Sequence, residues 1–402
     1  MALLHPKLYS KNVLIVGDGN FSFTLCLASA LSYTSVKIVA TSLDSLPQLA
    51  NNDFAVENIT KLSEYENVEL FHEVDATNIS KTFGSRVFDR IIFNFPHLGG
   101  KSNIGKSRKL LELFFASAVK HVEPFEGEIC VSLCQGQGGT PMDNPRRELG
   151  NSWQVVYQAA KSDLILRAVY PFTSGDYHCY RSAGFRGQLG KGFHTVNGLT
   201  HVFVHGVPLD IVSDDAESFI HRGNDTKRLC CPLENHFAVP CNPVHIITKK
   251  LKSFFLDLGW LMELNVDNLA MALFGIHDIR LLWSDDERFK KQFSDPQEND
   301  LQVYKKFEAF SIFPPCYIHD ISFWITEHMT EQNFFKDIFE TTQGCIQDVQ
   351  FIERYHDTVQ DKVSYNYRMI YSSSDRPLSH IQTVRMQNLL RRRLLSCHYH
   401  LK

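Results

Sequence analysis

A short apolar run, Asn12–Val16, leads into a polar turn that contains glycine and then into a second apolar segment with helix-forming residues. A continuous apolar run of this length is typical of a parallel strand that is buried on both faces. Similar runs follow at residues 36–43, 67–71 and 88–93. Strands of this kind alternating with helix-forming segments predict an α/β domain built on a parallel sheet.

The turn after the first strand contains Gly17, Asp18, Gly19 and Asn20. Paired glycines let the backbone turn tightly beside a ligand, and the helix that follows presents its N-terminus to it. A dinucleotide-binding loop has a third glycine three positions later, where this chain has Ser22. An acid in the loop repels a pyrophosphate but suits the cationic amino and sulfonium groups of S-adenosylmethionine. The loop therefore favours S-adenosylmethionine over NAD, and methyl transfer as the chemistry.

Acidic residues also follow the second and third predicted strands. Asp44 stands where such folds bind the ribose hydroxyls of an adenosyl group, and Asp75 is placed to accept the adenine amino group. The carboxyl ends of parallel strands meet at one edge of the sheet, which is where ligands of open α/β sheets bind. We therefore expect Asp18, Asp44 and Asp75 to converge on one cofactor.

The fourth strand ends in Asn94, Phe95, Pro96 and His97. Methylation of a base nitrogen requires removal of its N–H, so the Asn94 carbonyl is expected to accept that hydrogen while Phe95 stacks on the base. A histidine titrates near neutral pH, which makes His97 a candidate base. These four residues are the predicted catalytic group.

The segments GDGNFSF, ATSLDS, VDAT, FDRIIFNFPH and GEICVSLCQG resemble the Rossmann-like family that contains the fungal large-subunit rRNA uridine-N3 methyltransferase. The resemblance implies an S-adenosylmethionine-dependent methyltransferase fold with RNA as substrate. It places Asp18 and Gly19 at the methionine end, Asp44 at the ribose, Asp75 at the adenine and Asn94 to His97 at the target base. The glycine-rich segment 135–143 departs from the shorter family pattern, and family members usually carry Glu at the position of Asp18.

A further segment, residues 177–181, resembles the tyrosine-basic signature of that family. Tyr180, Arg181 and Arg186 are therefore candidate RNA contacts, since arginine binds phosphate. A solvated loop accounts for the same basic residues.

The C-terminal quarter of the chain predicts the order β-α-β-β-α. The segments HDISFW and YRMIYSSSDRPLS resemble the ferredoxin-fold anticodon-binding domain of phenylalanyl-tRNA synthetases, with His319 at a position where that family has arginine. Asp375 is the one acid in the terminal stretch that contains the basic residues, so an RNA-binding surface is expected there. Its candidate residues are Arg376, Arg385, Arg391, Arg392 and Arg393.

The segment between these two parts resembles fragments of a class II synthetase with the central sheet missing. The arginine that binds ATP in that family is absent, since the corresponding stretch has Glu263, Asn265 and Asn268. No synthetase activity is expected. The predicted organisation is a methyltransferase domain at 1–206, a linker at 207–241, a synthetase-like remnant at 242–305 and a ferredoxin-fold domain at 306–402. This combination resembles the family of ferredoxin-fold anticodon-binding domain-containing proteins.

Net charge, cysteine spacing and the length of apolar runs limit the partners, metal sites and location that are expected. The 402 residues carry a net charge of −4, so nucleic-acid binding must depend on a local basic surface rather than a basic chain. The ten cysteines lack paired zinc spacing, which predicts reduced thiols and no metal site. With no apolar run of membrane-spanning length, a cytoplasmic or nucleolar protein without membrane attachment is expected.

Two functions of different classes stay open at this point. The first is an RNA methyltransferase that modifies uridine N3 of rRNA or tRNA. The second is an RNA-binding scaffold, related to phenylalanyl-tRNA synthetase, whose cofactor pocket is vestigial. Loss of cofactor affinity on Asp44→Ala with unchanged RNA binding would distinguish them.

Overall fold

A computed structural model describes residues 12–99, 103–125, 127–184, 188, 190–206, 311–326, 330–374, 376–397 and 399–402, together with scattered residues between 244 and 307. The chain forms two compact units. One unit joins Met1–Glu217 to Phe310–Lys402, and the other is Ser218–Ala309. The two ends of the chain therefore belong to one unit, which the predicted domain order did not anticipate.

The N-terminal part of the first unit contains a seven-stranded sheet in the order β3-β2-β1-β4-β5-β7-β6. Strands β1 to β5 are parallel, and β7 runs antiparallel to both β5 and β6. The strands are β1 Asn12–Val16, β2 Lys37–Thr41, β3 Val68–Phe71, β4 Arg90–Asn94, β5 Glu128–Leu133, β6 Leu164–Phe172 and β7 Gly198–His205. The strand order reverses between β1 and β4, and this switch point opens a crevice at the carboxyl edge of the sheet.

Helices cover both faces of this sheet. They are α1 Ser22–Leu31, α2 Leu46–Leu49, α3 Asp53–Leu62, α4 Ser80–Phe83, α5 Ile104–Ala118 and α6 Val155–Ala160. Successive residues of a strand point to opposite faces, so Leu14 and Val16 enter one core while Val13 and Ile15 enter the other. The predicted Rossmann-like α/β fold is confirmed.

The C-terminal part is an α+β domain with a four-stranded antiparallel sheet in the order β11-β8-β10-β9. Its elements are β8 Tyr317–Trp324, α9 Glu331–Thr342, β9 Ile346–Asp357, β10 Lys362–Tyr371, α10 His380–Ser396 and β11 His400–Leu401. Thr330 and Ser379 cap the two helices with their side chains. The predicted ferredoxin-like fold is confirmed. The short strand β11 forms one edge of its sheet.

The C-terminal domain packs against the N-terminal domain next to α6 and β6. The Ile312 amide donates to the Leu166 carbonyl at 3.0 Å, and Phe313 packs against the core of the large sheet. The Tyr157 hydroxyl donates to the Cys316 carbonyl at 3.3 Å and accepts from its amide at 3.2 Å. Backbone and side-chain contacts therefore hold the two domains in one body.

Tyr157→Phe should loosen this junction, because both hydrogen bonds to Cys316 are lost while the ring is kept. We expect the free energy of unfolding in urea to fall by about 1–3 kcal/mol, since the net value of each of the two hydrogen bonds is about 0.5–1.5 kcal/mol. Tyr33→Phe is the matched control, since Tyr33 is fully exposed. Equal midpoints for the two variants would show that the Tyr157 contacts contribute nothing to the junction.

The second unit is described only in part. Its described helices are α7 Val266–Phe274 and α8 Glu287–Gln292, and the Phe274 and Phe293 rings lie 5.2 Å apart. The predicted linker 207–241, Glu263 and Asn265 lie outside the described residues. Within the described part of the chain, no helix combines the length and apolar character needed to cross a bilayer.

Candidate functional site

A cavity of about 700 Å³ lies at the carboxyl ends of β1, β2 and β4, where the strand order reverses. It is lined by residues from several segments that are distant in sequence. Twelve sequence-predicted residues line it: Gly17, Asp18, Gly19, Asn20, Asp44, Asp75, Asn94, Phe95, Pro96, His97, Tyr180 and Arg181. The predicted cofactor and catalytic groups are therefore brought into one site.

The loop between β1 and α1 is shaped by Gly17 and Asp18. Gly17 has φ +68°, and a Cβ there would lie 2.8 Å from Cε2 of Phe93. One carboxylate oxygen of Asp18 accepts hydrogen bonds from the Thr24 amide at 2.8 Å and the Thr24 hydroxyl at 2.7 Å. Burial raises the pKa of Asp18. Asp18 thus holds the first turn of α1 in place, a role that sequence reasoning missed, while it also lines the cavity.

Asp44 and Asp75 differ in what already occupies their carboxylates. Among the described residues, nothing hydrogen-bonds to the Asp44 side chain, and burial raises its pKa. One oxygen of Asp75 accepts from the Thr77 amide at 2.8 Å and the Thr77 hydroxyl at 2.7 Å. Asp44 is therefore the acid in this cavity best placed to offer both oxygens to a ligand.

Asn94 is the last residue of β4, and its amide is held from the neighbouring strands. Its Oδ1 accepts from the Ser132 hydroxyl at 2.7 Å, and Ser132 lies 2.9 Å from the Thr200 hydroxyl. Its Nδ2 is buried and has no hydrogen-bond partner in the described structure. The expectation that the Asn94 carbonyl accepts an N–H from the substrate stays a prediction, because the Ser132 hydroxyl takes only one of the two acceptor positions of that oxygen.

Phe95 and His97 both line the cavity, in conformations that the sequence did not specify. Phe95 has φ +50° and is 7% exposed, with its ring 4.8 Å from Phe172 and 5.4 Å from Phe193. It forms part of the cavity wall rather than a free stacking platform. His97 is exposed, and its Nδ1 accepts from the Gly99 amide at 2.8 Å. A neutral imidazole in this contact carries its proton on Nε2, so it offers a donor to the cavity.

Arg181 lies beside the cofactor loop. Its carbonyl accepts from the Asn20 side chain at 2.9 Å and from the Ser22 hydroxyl at 3.1 Å, and its amide donates to Ser22 at 3.0 Å. Its guanidinium lies 4.3 Å from the Phe54 ring centroid. Ser22, which replaces the third glycine of a dinucleotide loop, therefore anchors the wall that carries Tyr180 and Arg181. Arg186 lies outside the described residues.

One face of α5 adds residues that sequence reasoning missed. Lys106, Lys109, Leu110 and Leu113 line the cavity at the spacing i, i+3, i+4 and i+7. This spacing places the four side chains on one face of the helix, and it could have been recognised in the sequence. Among the described residues, Lys109 pairs with Glu112 at 2.7 Å, while no partner is found for the Lys106 ammonium. The cavity is therefore lined both by carboxylates, at residues 18, 44 and 75, and by basic side chains, at residues 106, 109 and 181.

Behind the loop, Cys26 of α1 and Cys179 form a disulfide, with Cα atoms 5.9 Å apart. The prediction that all cysteines are reduced is therefore wrong for this pair. The disulfide ties segment 177–181 to α1.

The predicted basic surface of the C-terminal domain is partly neutralised. Arg393 pairs with Asp337 at 2.8 Å and Glu340 at 2.6 Å, and both acids come from α9. Arg391 donates to the Asp320 carbonyl at 3.2 Å, and Arg376 donates to the Gln343 carbonyl at 3.3 Å. The exposed members are Arg385 and Arg392. Counting only Asp375, which lies outside the described residues, missed the acids that the fold brings to Arg393.

Two family models match separate segments of the chain. Residues 14–184 match the family described as rRNA (uridine-N3-)-methyltransferase BTM5-like, and residues 311–398 match the ferredoxin-fold anticodon binding domain. Both resemblances predicted from the motifs are confirmed.

Two curated relatives each match part of the chain. Ferredoxin-fold anticodon-binding domain-containing protein 1 of Homo sapiens is 39% identical over 251 residues, which are 60% of this chain and 39% of the human protein. The chloroplastic/mitochondrial phenylalanine–tRNA ligase of Arabidopsis thaliana is 36% identical over 135 residues, 34% of this chain and 30% of the ligase. The chain thus spans less than half the length of these relatives.

Among solved structures, the crystal structure of TrmN from Thermus thermophilus aligns with 51% of this chain and 47% of its own, with a TM-score of 0.31 and 17% identity. A likeness of this size carries no argument about function. The fold assignment depends instead on the observed strand order and register.

Proposed function

We propose that this protein binds S-adenosylmethionine in the cavity at the β1–β4 switch and methylates an RNA base, with uridine N3 as the target. The observation that carries the proposal is the convergence of the acids at 18, 44 and 75 with Asn94 to His97 in one cavity. The family matched by residues 14–184 is described as acting on uridine N3 of rRNA. RNA as the substrate class follows from that match.

The residues present fit this cofactor. Its amino and sulfonium groups are cationic, and three carboxylates line the cavity. Asp44, with no hydrogen bond to its side chain from the described residues, can accept both ribose hydroxyls. Lys106 and Arg181 provide positive charge for the methionine carboxylate. When bound, the cofactor supplies an electrophilic methyl group.

The protein contributes mainly positioning to this reaction. A nucleophilic nitrogen must lie in line with the methyl carbon, and holding the two together accounts for a large share of the rate. Leu98 and Leu113, both exposed at the cavity, would be covered by a bound base and would exclude water from it. His97 is the titratable group beside Asn94, and it accepts the released proton only after its contact with Gly99 breaks.

The C-terminal domain is proposed to hold the RNA. Its match to an anticodon-binding domain and its exposed Arg385 and Arg392 support phosphate contacts that are independent of sequence. Both rRNA and tRNA fit this arrangement. No aminoacylation is proposed, and phenylalanine-dependent exchange between ATP and pyrophosphate should be absent.

Asp44→Asn should weaken binding of S-adenosylmethionine by about 10- to 100-fold, because a charged acceptor contributes roughly 1.5–3 kcal/mol per hydrogen bond. Isothermal calorimetry on the full chain measures this directly. Asp53→Asn is the control, since Asp53 is an exposed aspartate of α3 outside the cavity.

Equal affinity of the two variants for S-adenosylmethionine would show that Asp44 does not contact the cofactor. Absence of any binding to the folded wild type would contradict the enzyme proposal as a whole. Retained RNA binding in that case would support the scaffold function.

A further inference from the structure

Tyr180 forms part of the cavity wall, although the sequence placed it among the RNA contacts. It is partly buried, and its ring lies 6.3 Å from the ring of Phe23 in α1 and 5.5 Å from that of Phe172 in β6. Both phenylalanines are buried. A tyrosine packed in this way is poorly placed to reach a phosphate of RNA at the protein surface. The part of Tyr180 that is not packed therefore meets whatever fills the cavity.

Tyr180 lies between the two groups of residues that the proposed reaction needs. On one side, Phe23 belongs to the first turn of α1, directly after the loop that carries Asp18. On the other side, Phe172 lies 4.8 Å from Phe95 at the end of β4. The sulfur of S-adenosylmethionine carries the methyl group, so it must lie between the loop that holds the cofactor and the residues that hold the base. Tyr180 occupies that part of the wall.

A neutral aromatic ring at this position suits a sulfonium. Burial raises the pKa of Tyr180, and the nearby Asp18 carboxylate raises it further, so the phenol stays uncharged. A trialkyl sulfonium has no N–H or O–H, and a carboxylate therefore cannot accept a hydrogen bond from it. An aromatic ring attracts such a cation through its negative face, most strongly where water is excluded. Phe23, Phe95 and Phe193 line the same cavity, which makes the surroundings of Tyr180 largely aromatic.

The chain holds Tyr180 from both sides. The preceding residue, Cys179, forms the disulfide with Cys26 of α1. The following residue, Arg181, donates its amide to the Ser22 hydroxyl oxygen at 3.0 Å, and its carbonyl accepts from the same hydroxyl at 3.1 Å. A side chain that is fixed before the ligand arrives loses little conformational entropy when the contact forms.

We propose that the ring of Tyr180 contacts the sulfonium of S-adenosylmethionine and distinguishes this charged cofactor from its neutral product, S-adenosylhomocysteine. This inference rests on the proposed binding of the cofactor in this cavity. The product lacks the methyl group and the positive charge on sulfur, so it keeps the packing against Tyr180 but loses the electrostatic attraction. The contact thus favours the methyl donor over the spent cofactor.

Tyr180→Leu tests this contact without turnover. Calorimetry on the full chain gives the affinities for S-adenosylmethionine and for S-adenosylhomocysteine separately. Leucine keeps an apolar side chain but removes the ring, so affinity for the charged ligand should fall about three- to thirtyfold more than affinity for the neutral one. Tyr180→Phe keeps the ring, and the ratio of the two affinities should stay within about twofold of the wild-type ratio.

Tyr177→Leu is the matched control for lost packing. Tyr177 is 4% exposed and lies 5.1 Å from each of the same two rings, Phe23 and Phe172. It is not among the described residues that line the cavity. Its replacement should change both affinities by the same factor. If Tyr180→Leu does not fold, Tyr180→Met gives the same comparison, because the flexible methionine side chain fills irregular gaps.

Equal losses of the two affinities on removal of the Tyr180 ring would overturn the contact with the sulfonium and leave the proposed cofactor site intact. A selective loss for S-adenosylmethionine in Tyr180→Phe would also overturn it, since the hydroxyl rather than the ring would then be responsible. If the folded wild type, checked by circular dichroism, binds neither ligand, the proposed function fails and this inference fails with it.

Discussion

Glu128→Gln should lower the free energy of unfolding by about 3–5 kcal/mol, the usual result of removing one partner from a buried ion pair. Glu128 is 8% exposed and lies between two arginines of the large sheet. One carboxylate oxygen bonds Arg90, itself 7% exposed, and the other accepts from Arg167 at 3.1 Å. Glutamine keeps the shape but removes the charge, so two guanidinium groups lose their common carboxylate.

Glu69→Gln is the matched control for this change. Glu69 also pairs with an arginine, Arg86, at 3.0 Å, but the two side chains are 47% and 33% exposed. Solvent screens such a pair, and its loss should cost about 0–1 kcal/mol. Urea denaturation followed by circular dichroism compares the two variants. Similar losses in both would contradict the view that burial makes the Glu128 network important.

Gly17→Ala should weaken S-adenosylmethionine binding by at least about tenfold, because moving the groups that contact a ligand by about 1 Å disrupts their alignment with it. At φ +68° an alanine pays about 1–2 kcal/mol of backbone strain. Its Cβ would also lie 2.8 Å from Cε2 of Phe93, whose ring is packed against Phe114 at 4.8 Å. The loop must therefore shift, and the cavity wall shifts with it.

Gly84→Ala is the control that distinguishes backbone strain from the steric contact with Phe93. Gly84 has φ +58°, but a Cβ there meets nothing within 4 Å, and it lies outside the cavity. Because Gly84 combines φ +58° with ψ −112°, outside the left-handed helical region, this variant should lose at least as much stability from strain and keep full cofactor affinity. Calorimetry and thermal unfolding of both variants measure the two effects. Normal affinity in Gly17→Ala would show that the loop tolerates a side chain and that its glycine serves only the turn.

The strand-end acids illustrate what sequence reasoning could reach. Asp44 and Asp75 were placed together because buried strands are recognisable as apolar runs and because parallel strands end at one edge of the sheet. The structure brings both to one cavity. The same reasoning fixed the ends of strands only to within a few residues, since the second strand is Lys37–Thr41 rather than 36–43.

The roles of individual polar atoms were beyond that reasoning. The Asn94 amide is held by Ser132, 38 residues away, which in turn bonds to Thr200, 68 residues beyond Ser132. The backbone of Arg181 bonds to Ser22, 159 residues earlier, in the loop after β1. From the sequence around it, Arg181 was predicted only as a phosphate contact. A local sequence pattern cannot predict contacts between residues so far apart in the chain.

The sequence by itself determined which segments become strands and helices, in what order they occur, and which residues follow the strands that meet at the cavity. These features depend on local periodicity and on the geometry of parallel sheets, both of which can be recognised in the order of residues. Only the tertiary structure decided that Thr24 donates to Asp18 and Ser132 to Asn94, that α9 supplies acids to Arg393, and that the two ends of the chain form one unit. The physical reason is that hydrogen bonds and ion pairs act over about 3 Å, so partners distant in sequence are defined only after packing brings them together.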